Sequence, residues 1–325
     1  MTIQLLQKLS LQLGIGRSDL RHIIATAPKR YKVYPIAKRR GGTRTIAQPS
    51  RELKAIQRIV LREVLSKFPV HAAATGYAEG RSILHNAKAH AANPVILKLD
   101  FRNFFPSLVK EDWWHLLKST DIGLDVDEIW WSTLILFWGQ KSATPKCLSI
   151  GAPTSPALSN IILYQLDVQL AAVAALTGTT YTRYADDITA SGEEIEHLIQ
   201  FETMARSIVK SMSSPRLTFN DEKRGIYTSG QRRMVTGLVI TPKGDISIGR
   251  HRKRLISAMI HHWSKNLLDD KAKAELKGLI AFCIASEPEF VSRLRAKYNS
   301  ELIDSILRYH IVRRDKPRSA KTPNT

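Results

Sequence analysis

Two carboxylates stand side by side in Tyr181 Thr182 Arg183 Tyr184 Ala185 Asp186 Asp187 Ile188 Thr189 Ala190, and a third, Asp100, closes the apolar run Val95 Ile96 Leu97 Lys98 Leu99. Asp186 and Asp187 lie between two short stretches rich in β-formers, a pattern that predicts a tight hairpin with the acids at its tip. Asp100 ends a strand of its own. Magnesium is a hard cation that prefers oxygen ligands and keeps some waters, so a pair of ions needs carboxylates from more than one segment, together with substrate phosphates. Asp100, Asp186 and Asp187 are therefore candidate catalytic groups and candidate ligands for two Mg2+ ions, with Mn2+ as a substitute. An Asp pair alone is also what a solvated turn carries, so the weight falls on the segments around it.

Several of those segments have chemistry of their own. Lys38 Arg39 Arg40 Gly41 Gly42 Thr43 Arg44 Thr45 Ile46 reads as a β-hairpin with a Gly-Gly turn and basic flanks. The Arg44 guanidinium presents a planar fork to phosphate oxygens and stays charged at any working pH. Leu148 to Pro156 leads into a helix with Ser155 as N-cap and Pro156 in the first turn, on which Leu158, Ile161, Ile162 and Leu166 share a face. Gly151 and Pro153 shape the loop so that backbone can approach a ligand. Asn86 and His90, in Asn86 Ala87 Lys88 Ala89 His90, fall at i and i+4 of a helix. Leu217 to Lys223 places Lys223 after the acids, and Met234 to Ile240 reads as one strand.

Taken in order, these blocks resemble those of reverse transcriptases across residues 30 to 240. The resemblance lies in the Tyr184 Ala185 Asp186 Asp187 box, Asp100 with Phe101 Arg102 Asn103 Phe104 Phe105 Pro106 Ser107, the Gly151 block and the 217–223 block. The NAxxH element at 86–90 and the triplet Val235 Thr236 Gly237 resemble markers of the retron group. The resemblance implies an α+β fold of right-hand architecture: fingers, a palm of antiparallel sheet plus helices, and a helical thumb. It implies that Arg44, and Lys38 less so, grips the incoming deoxynucleoside triphosphate, and that Phe105 lies under its sugar and collides with a 2′-hydroxyl. Gly151 would line the nucleotide site, and Lys223 would serve as general acid at the leaving pyrophosphate. It further implies a cognate noncoding RNA, primed from one of its own 2′-hydroxyls and copied in part into branched DNA. A separately encoded effector protein and a role in defence against phage complete the implied picture. One position departs from the family pattern: Ile150, after Ser149, stands where a glutamine is usual, and an aliphatic chain makes no hydrogen bond to sugar or base.

Composition fits a partner of nucleic acid. The 325 residues carry Lys plus Arg 49 against Asp plus Glu 29, a net charge of +20 that attracts polyanions with marked salt dependence. Arg250, Arg252, Lys253, Arg254 and Lys265 crowd one predicted helix whose other face carries Leu255, Ile256, Met259, Ile260, Trp263 and Leu267. Arg250, Arg252, Lys253 and Arg254 are thus expected RNA-binding residues, and the retron resemblance of the NAxxH element adds Asn86 and His90 to them. The expected division is fingers and palm over 1–240, a basic helical thumb over 241–312 and a mobile basic tail over 313–325. Within it, an N-terminal helical arm precedes the fingers. One predicted helix carries an apolar stripe of Leu53, Ile56, Val60 and Val64, and a palm helix one of Ile195, Leu198, Ile199, Met204 and Ile208. Cys147 and Cys283 are too few for a disulfide framework or a zinc knuckle, which fits a cytoplasmic protein, and no apolar run is long enough for a membrane span. The remaining alternatives are another bacterial reverse transcriptase of the group II intron or diversity-generating type, a noncatalytic RNA-binding scaffold, or a template-independent polymerase.

Overall fold

A computed structural model describes residues 4–38, 41–120 and 122–310. The expected tail at 313–325 and the hairpin residues Arg39 and Arg40 lie outside them.

Helices α1 (Leu5–Leu13) and α2 (Arg17–Ala25) bury Leu5, Leu9, Leu20 and Ile24 in the main core, so the N-terminal segment is packed as part of the body and does not project as an arm. Strands β1 (Tyr31–Ala37) and β2 (Thr43–Pro49) pair antiparallel, and the turn between them runs through Gly41 and Gly42 at φ 90° and 76°, a region open to glycine. Ser50 caps α3 (Arg51–Glu63) by accepting from the Leu53 N–H. Leu53, Ile56, Val60 and Val64 are fully buried, the stripe the sequence predicts. Helix α4 (Ile83–Ala89) then leads to β3 (Val95–Asp100).

After β3 come α5 (Phe104–Ser107), α6 (Lys110–Ser119) and α7 (Val126–Leu136), then α8 (Ser155–Ile162) and α9 (Tyr164–Leu176). The N-cap of α8 is Thr154, one residue before the predicted Ser155, and the helical run breaks at Leu163 with a bend of 56°. Leu158, Ile161, Ile162 and Leu166 are nevertheless all buried. Strands β4 (Thr180–Tyr184) and β5 (Asp187–Gly192), helix α10 (Ile195–Ser211) and β6 (Gly225–Tyr227) complete an antiparallel sheet of order β4-β5-β3-β6. Helix α10 buries Leu198, Phe201, Ala205 and Val209, while Ile195 and Ile199 are exposed, so its inner face is rotated from the predicted one.

Pairing register gives the sheet two unlike faces. Leu97, Leu99, Tyr181, Arg183, Ile188 and Ala190 point to the main core. Lys98, Asp100, Thr182, Tyr184, Asp187, Thr189 and Ser191 share the opposite, polar face.

A second sheet holds β7 (Arg233–Val235), β8 (Leu238–Ile240) and β9 (Ile246–Ser247). The single strand expected over Met234 to Ile240 is thus a hairpin, turned at Thr236 and Gly237 with φ 47° and 82°, the positive values that primed turns require. Its Val235, Leu238 and Ile240 join a second core with helices α11 (Arg250–Ser264), α12 (Asp270–Ser286), α13 (Pro288–Tyr298) and α14 (Ser300–Arg308). The division expected at residue 240 therefore passes through this sheet. On α11, Ile256, Met259 and Ile260 are buried; Leu255 is exposed because it stands one step off their stripe, and Leu267 is exposed beyond the end of the helix. Among the described residues no single helix is long and apolar enough to cross a membrane; the bent pair α8 and α9 meets that description by composition, and here it supplies the core.

Candidate active site

The end of the polar sheet face is where the acids meet. Asp100 and Asp187 are opposite each other on β3 and β5, and Asp186 stands in the turn between β4 and β5, its carbonyl accepting from the Phe101 N–H at 3.1 Å. Ala185 makes that turn with φ 54°. A buried ion pair holds it from beneath. Arg183 donates to both Asp167 carboxylate oxygens, to Asn160 Oδ1 and to the Ala185 carbonyl, and Tyr181 donates to Asp167 Oδ1. Arg183 and Asp167 are wholly buried. The segment before α4 closes the other side: the Thr75 N–H donates to the Arg183 carbonyl, the Arg183 N–H to that of Ala73, and a Cβ on Gly76 would press on Ala185 and Tyr184 at 3.1 Å. Sequence reasoning missed this brace, although an arginine at an inward position of a strand was a legible signal for a buried partner.

Like charges placed opposite each other resist ionisation. Burial pushes the Asp100 carboxyl up to about 6, with Asp186 and Asp187 adding to the rise and Lys223 opposing it. Burial, then Asp187, raises Asp186, against Lys223 and Arg44. Such a pair attracts a cation, and Lys223 is that cation here: its Nζ lies 2.7 Å from both Asp100 oxygens. Among the described residues no three His, Cys, Asp or Glu side chains gather to hold an ion, and the Asp100 oxygens are engaged by Lys223. Lys223 is drawn to Asp100 and not held out toward a nucleotide. The donor chemistry still fits magnesium, which is commonly bound through one or two carboxylates and completes its shell with water and substrate phosphates.

The fingers hairpin lies within electrostatic reach of the acids. Arg44 is exposed on β2 and opposes the rise at Asp186. Lys38, exposed at the end of β1, donates its backbone N–H to the Gly42 carbonyl. Gly151 has φ 131° and no room for a side chain, because a Cβ would meet the Ala47 carbonyl oxygen at 3.0 Å. The Ile150 carbonyl beside it accepts from the Ala47 N–H at 2.9 Å, so this loop docks on β2 through its backbone. Phe105, half-buried on α5, meets Phe104 edge-on at 5.2 Å. Tyr77 escaped the sequence reading. It is 56% exposed, 5.7 Å from the Tyr184 ring, and feels Asp186 and Arg44, with a backbone φ of 58° that a tyrosine rarely adopts.

The expected RNA-binding residues divide. Asn86 and His90 are buried and bonded to the palm hairpin, so direct contact with RNA is corrected to an internal role. On α11, Arg250 and Arg254 are exposed, whereas Arg252 stacks over the Phe282 ring at 5.0 Å and Lys253 pairs with Glu287.

A family model described as reverse transcriptase (RNA-dependent DNA polymerase) matches residues 36–261. The Retron Ec83 reverse transcriptase of Escherichia coli is 34% identical over 281 residues, 86% of this chain and 90% of that protein. The Retron Mx65 reverse transcriptase of Myxococcus xanthus is 33% identical over 301 residues, 87% of this chain and 68% of that protein. A solved telomerase from Candida albicans aligns at 13% identity with a TM-score of 0.49, over 89% of this chain and 56% of that one.

Proposed function

The chain belongs to the reverse transcriptase family and is a retron-type RNA-directed DNA polymerase; from that premise we propose that it copies part of a cognate structured RNA into branched, multicopy single-stranded DNA, starting from a 2′-hydroxyl of that RNA. The observation that carries the site assignment is the meeting of Asp100, Asp186 and Asp187 at one end of the palm sheet, where the charge of Arg44 also reaches. Asp100 and Asp186 are the residues that would hold divalent ions, Mg2+ first, with Asp187 supporting them. Bound there, the ions supply a lowered pKa for the attacking hydroxyl and neutralise charge on the leaving pyrophosphate. Arg44 grips the triphosphate, with Lys38 beside it, and Phe105 discriminates against ribose. Lys223 leaves Asp100 and acts as general acid at the pyrophosphate. The exposed arginines of α11 bind the structured RNA by shape and phosphate contacts. The complex acts in the cytoplasm with a separately encoded effector in defence against phage.

The test is to express the chain with its flanking locus, purify it with bound nucleic acid, and sequence that material before and after RNase. A short DNA joined to RNA through a 2′,5′ linkage is the expected product. An intact locus that yields no DNA overturns the reading. Asp186→Asn is expected to abolish the DNA and leave the RNA bound, because the palm turn packs on the main core and α11 on the second.

A further inference from the structure

We propose that His90 is a positioning residue for the catalytic hairpin: a neutral imidazole, protonated on Nε2 alone, that braces β4 against β5 from α4. The proposal rests on the polymerase reading only for its kinetic readout.

With Asn86 Oδ1 facing Thr182, the hydrogen-bond directions select one tautomer. Thr182 Oγ1 donates its single proton to Asn86 Oδ1, so toward His90 it can only accept, and the proton on that side belongs to Nε2, 2.7 Å away. The Nδ1 lone pair then faces Ser191 Oγ at 2.7 Å, whose hydroxyl donates to it. Ser191 Oγ accepts in turn from Asn93 Nδ2 at 2.7 Å. The order is Asn93 to Ser191 to His90 to Thr182 to Asn86, one proton for each link. His90, Asn86 and Ser191 are at most 1% exposed and Thr182 is 5% exposed, so the chain is shielded from bulk solvent.

The ladder register shows what the brace does. Thr182 is paired with Thr189, and Ser191 with Thr180, so the imidazole joins two residues that are diagonal across the hairpin. Sliding of the strands breaks the backbone ladder, and a diagonal tie adds a second restraint against it. Sliding is the motion that moves Asp186, in the turn, relative to Asp187 and Asp100. The tie is anchored in turn, because Thr236 Oγ1 donates to the Ile83 carbonyl at the start of α4 at 3.1 Å, and Ala87 packs in the second core with Val235 and Leu238. Helix α4 thus stands between the catalytic hairpin and the sheet at the root of the thumb.

The test uses the full-length protein with poly(rA)·oligo(dT) and dTTP, in Thr182→Val, Ser191→Ala and His90→Gln. Valine keeps the shape of threonine without its hydrogen bonds, and the glutamine amide offers one donor and one acceptor like the neutral ring. Thr182→Val and Ser191→Ala are each expected to lower kcat about tenfold while KM for dTTP stays within about twofold, whereas His90→Gln keeps most of the wild-type rate. Hydrogen exchange gives a second reading that needs no activity: the Phe101 amide, bonded to the Asp186 carbonyl, should exchange faster in Thr182→Val than in wild type. Thr182→Val and Ser191→Ala proteins that stay folded with wild-type kcat and unchanged Phe101 exchange overturn the proposal. A wild-type chain that fails on this template bears on the polymerase reading, and the exchange result then decides the brace by itself.

Discussion

His90 has both ring nitrogens committed, and that has a thermodynamic consequence at the scale of one residue. Burial, and secondarily Lys98, hold its imidazole down to about 3, whereas in the unfolded chain it titrates near 6.5. Between those values the unfolded chain binds a proton that the folded chain refuses. Stability is therefore complete above about pH 6.5 and falls as the pH drops toward about 3, by up to about 1.4 kcal/mol per pH unit from this group. His90→Gln removes one titrating group from the unfolded state, so urea unfolding between about pH 4 and pH 6 should show a shallower pH dependence by close to one proton. Equal slopes in wild type and variant would exclude a neutral buried ring. The sequence showed the spacing of Asn86 and His90 but not their burial, because an i, i+4 pair serves an exposed face and an inward one equally. The three acids were legible for the opposite reason. Adjacent carboxylates between β-formers leave only a turn to occupy, and Asp100 ends a strand too apolar to be anything but buried. Their engagement by Lys223 was not legible, since it depends on how residues 217–223 fold back along β3.

At the scale of elements, the catalytic turn depends on a charge pair that a hydrophobic pattern cannot reveal. Arg183 alternates inward on β4 between Thr182 and Tyr184, and its partner Asp167 comes from α9, across the break at Leu163. Burying two charges costs much of what their attraction returns, but removing one partner strands the other. Asp167→Asn should therefore destabilise the protein by about 3–5 kcal/mol in urea titration, far more than loss of a partly exposed pair such as Arg295 with Asp304. A cost below about 1 kcal/mol would mean that Asn160 and the Ala185 carbonyl already satisfy the guanidinium. The same scale explains where element prediction slipped. Periodicity marked α3 correctly because its stripe is continuous and faces one core. It misplaced the inner face of α10, where aromatic and small residues, Phe201 and Ala205, take positions that a count of aliphatics assigns to Ile195 and Ile199. It joined β7 to β8 because Thr236 and Gly237 sit between two β-rich runs without a longer polar break, and only the positive φ of both residues shows the turn.

Across the whole molecule, the second core sets which positive charges are available to RNA. The net charge of +20 describes the chain, not its free surface. On α11 the partners are specific: Glu287 pairs with Lys253, and Arg252 stacks over the Phe282 ring, leaving Arg250 and Arg254 toward solvent. Composition could place a basic helix here but could not sort its charges, because Glu287 lies a helix away. The sorting is measurable through salt dependence. Each cation that displaces counterions from phosphate contributes to the slope of log affinity against log salt, so Arg250→Ala and Arg254→Ala should each reduce that slope by about 1. Lys253→Ala should leave the slope nearly unchanged and lower thermal stability instead, since it leaves Arg293 as the remaining cation on Glu287, which also accepts from the Ile248 N–H and from Ser247 just before α11. Fluorescence anisotropy of a labelled structured RNA over a series of KCl concentrations, alongside melting curves, separates the two effects. A Lys253→Ala protein with an unchanged melting point and a reduced slope would place that ammonium on the RNA and break the link between thumb packing and charge availability.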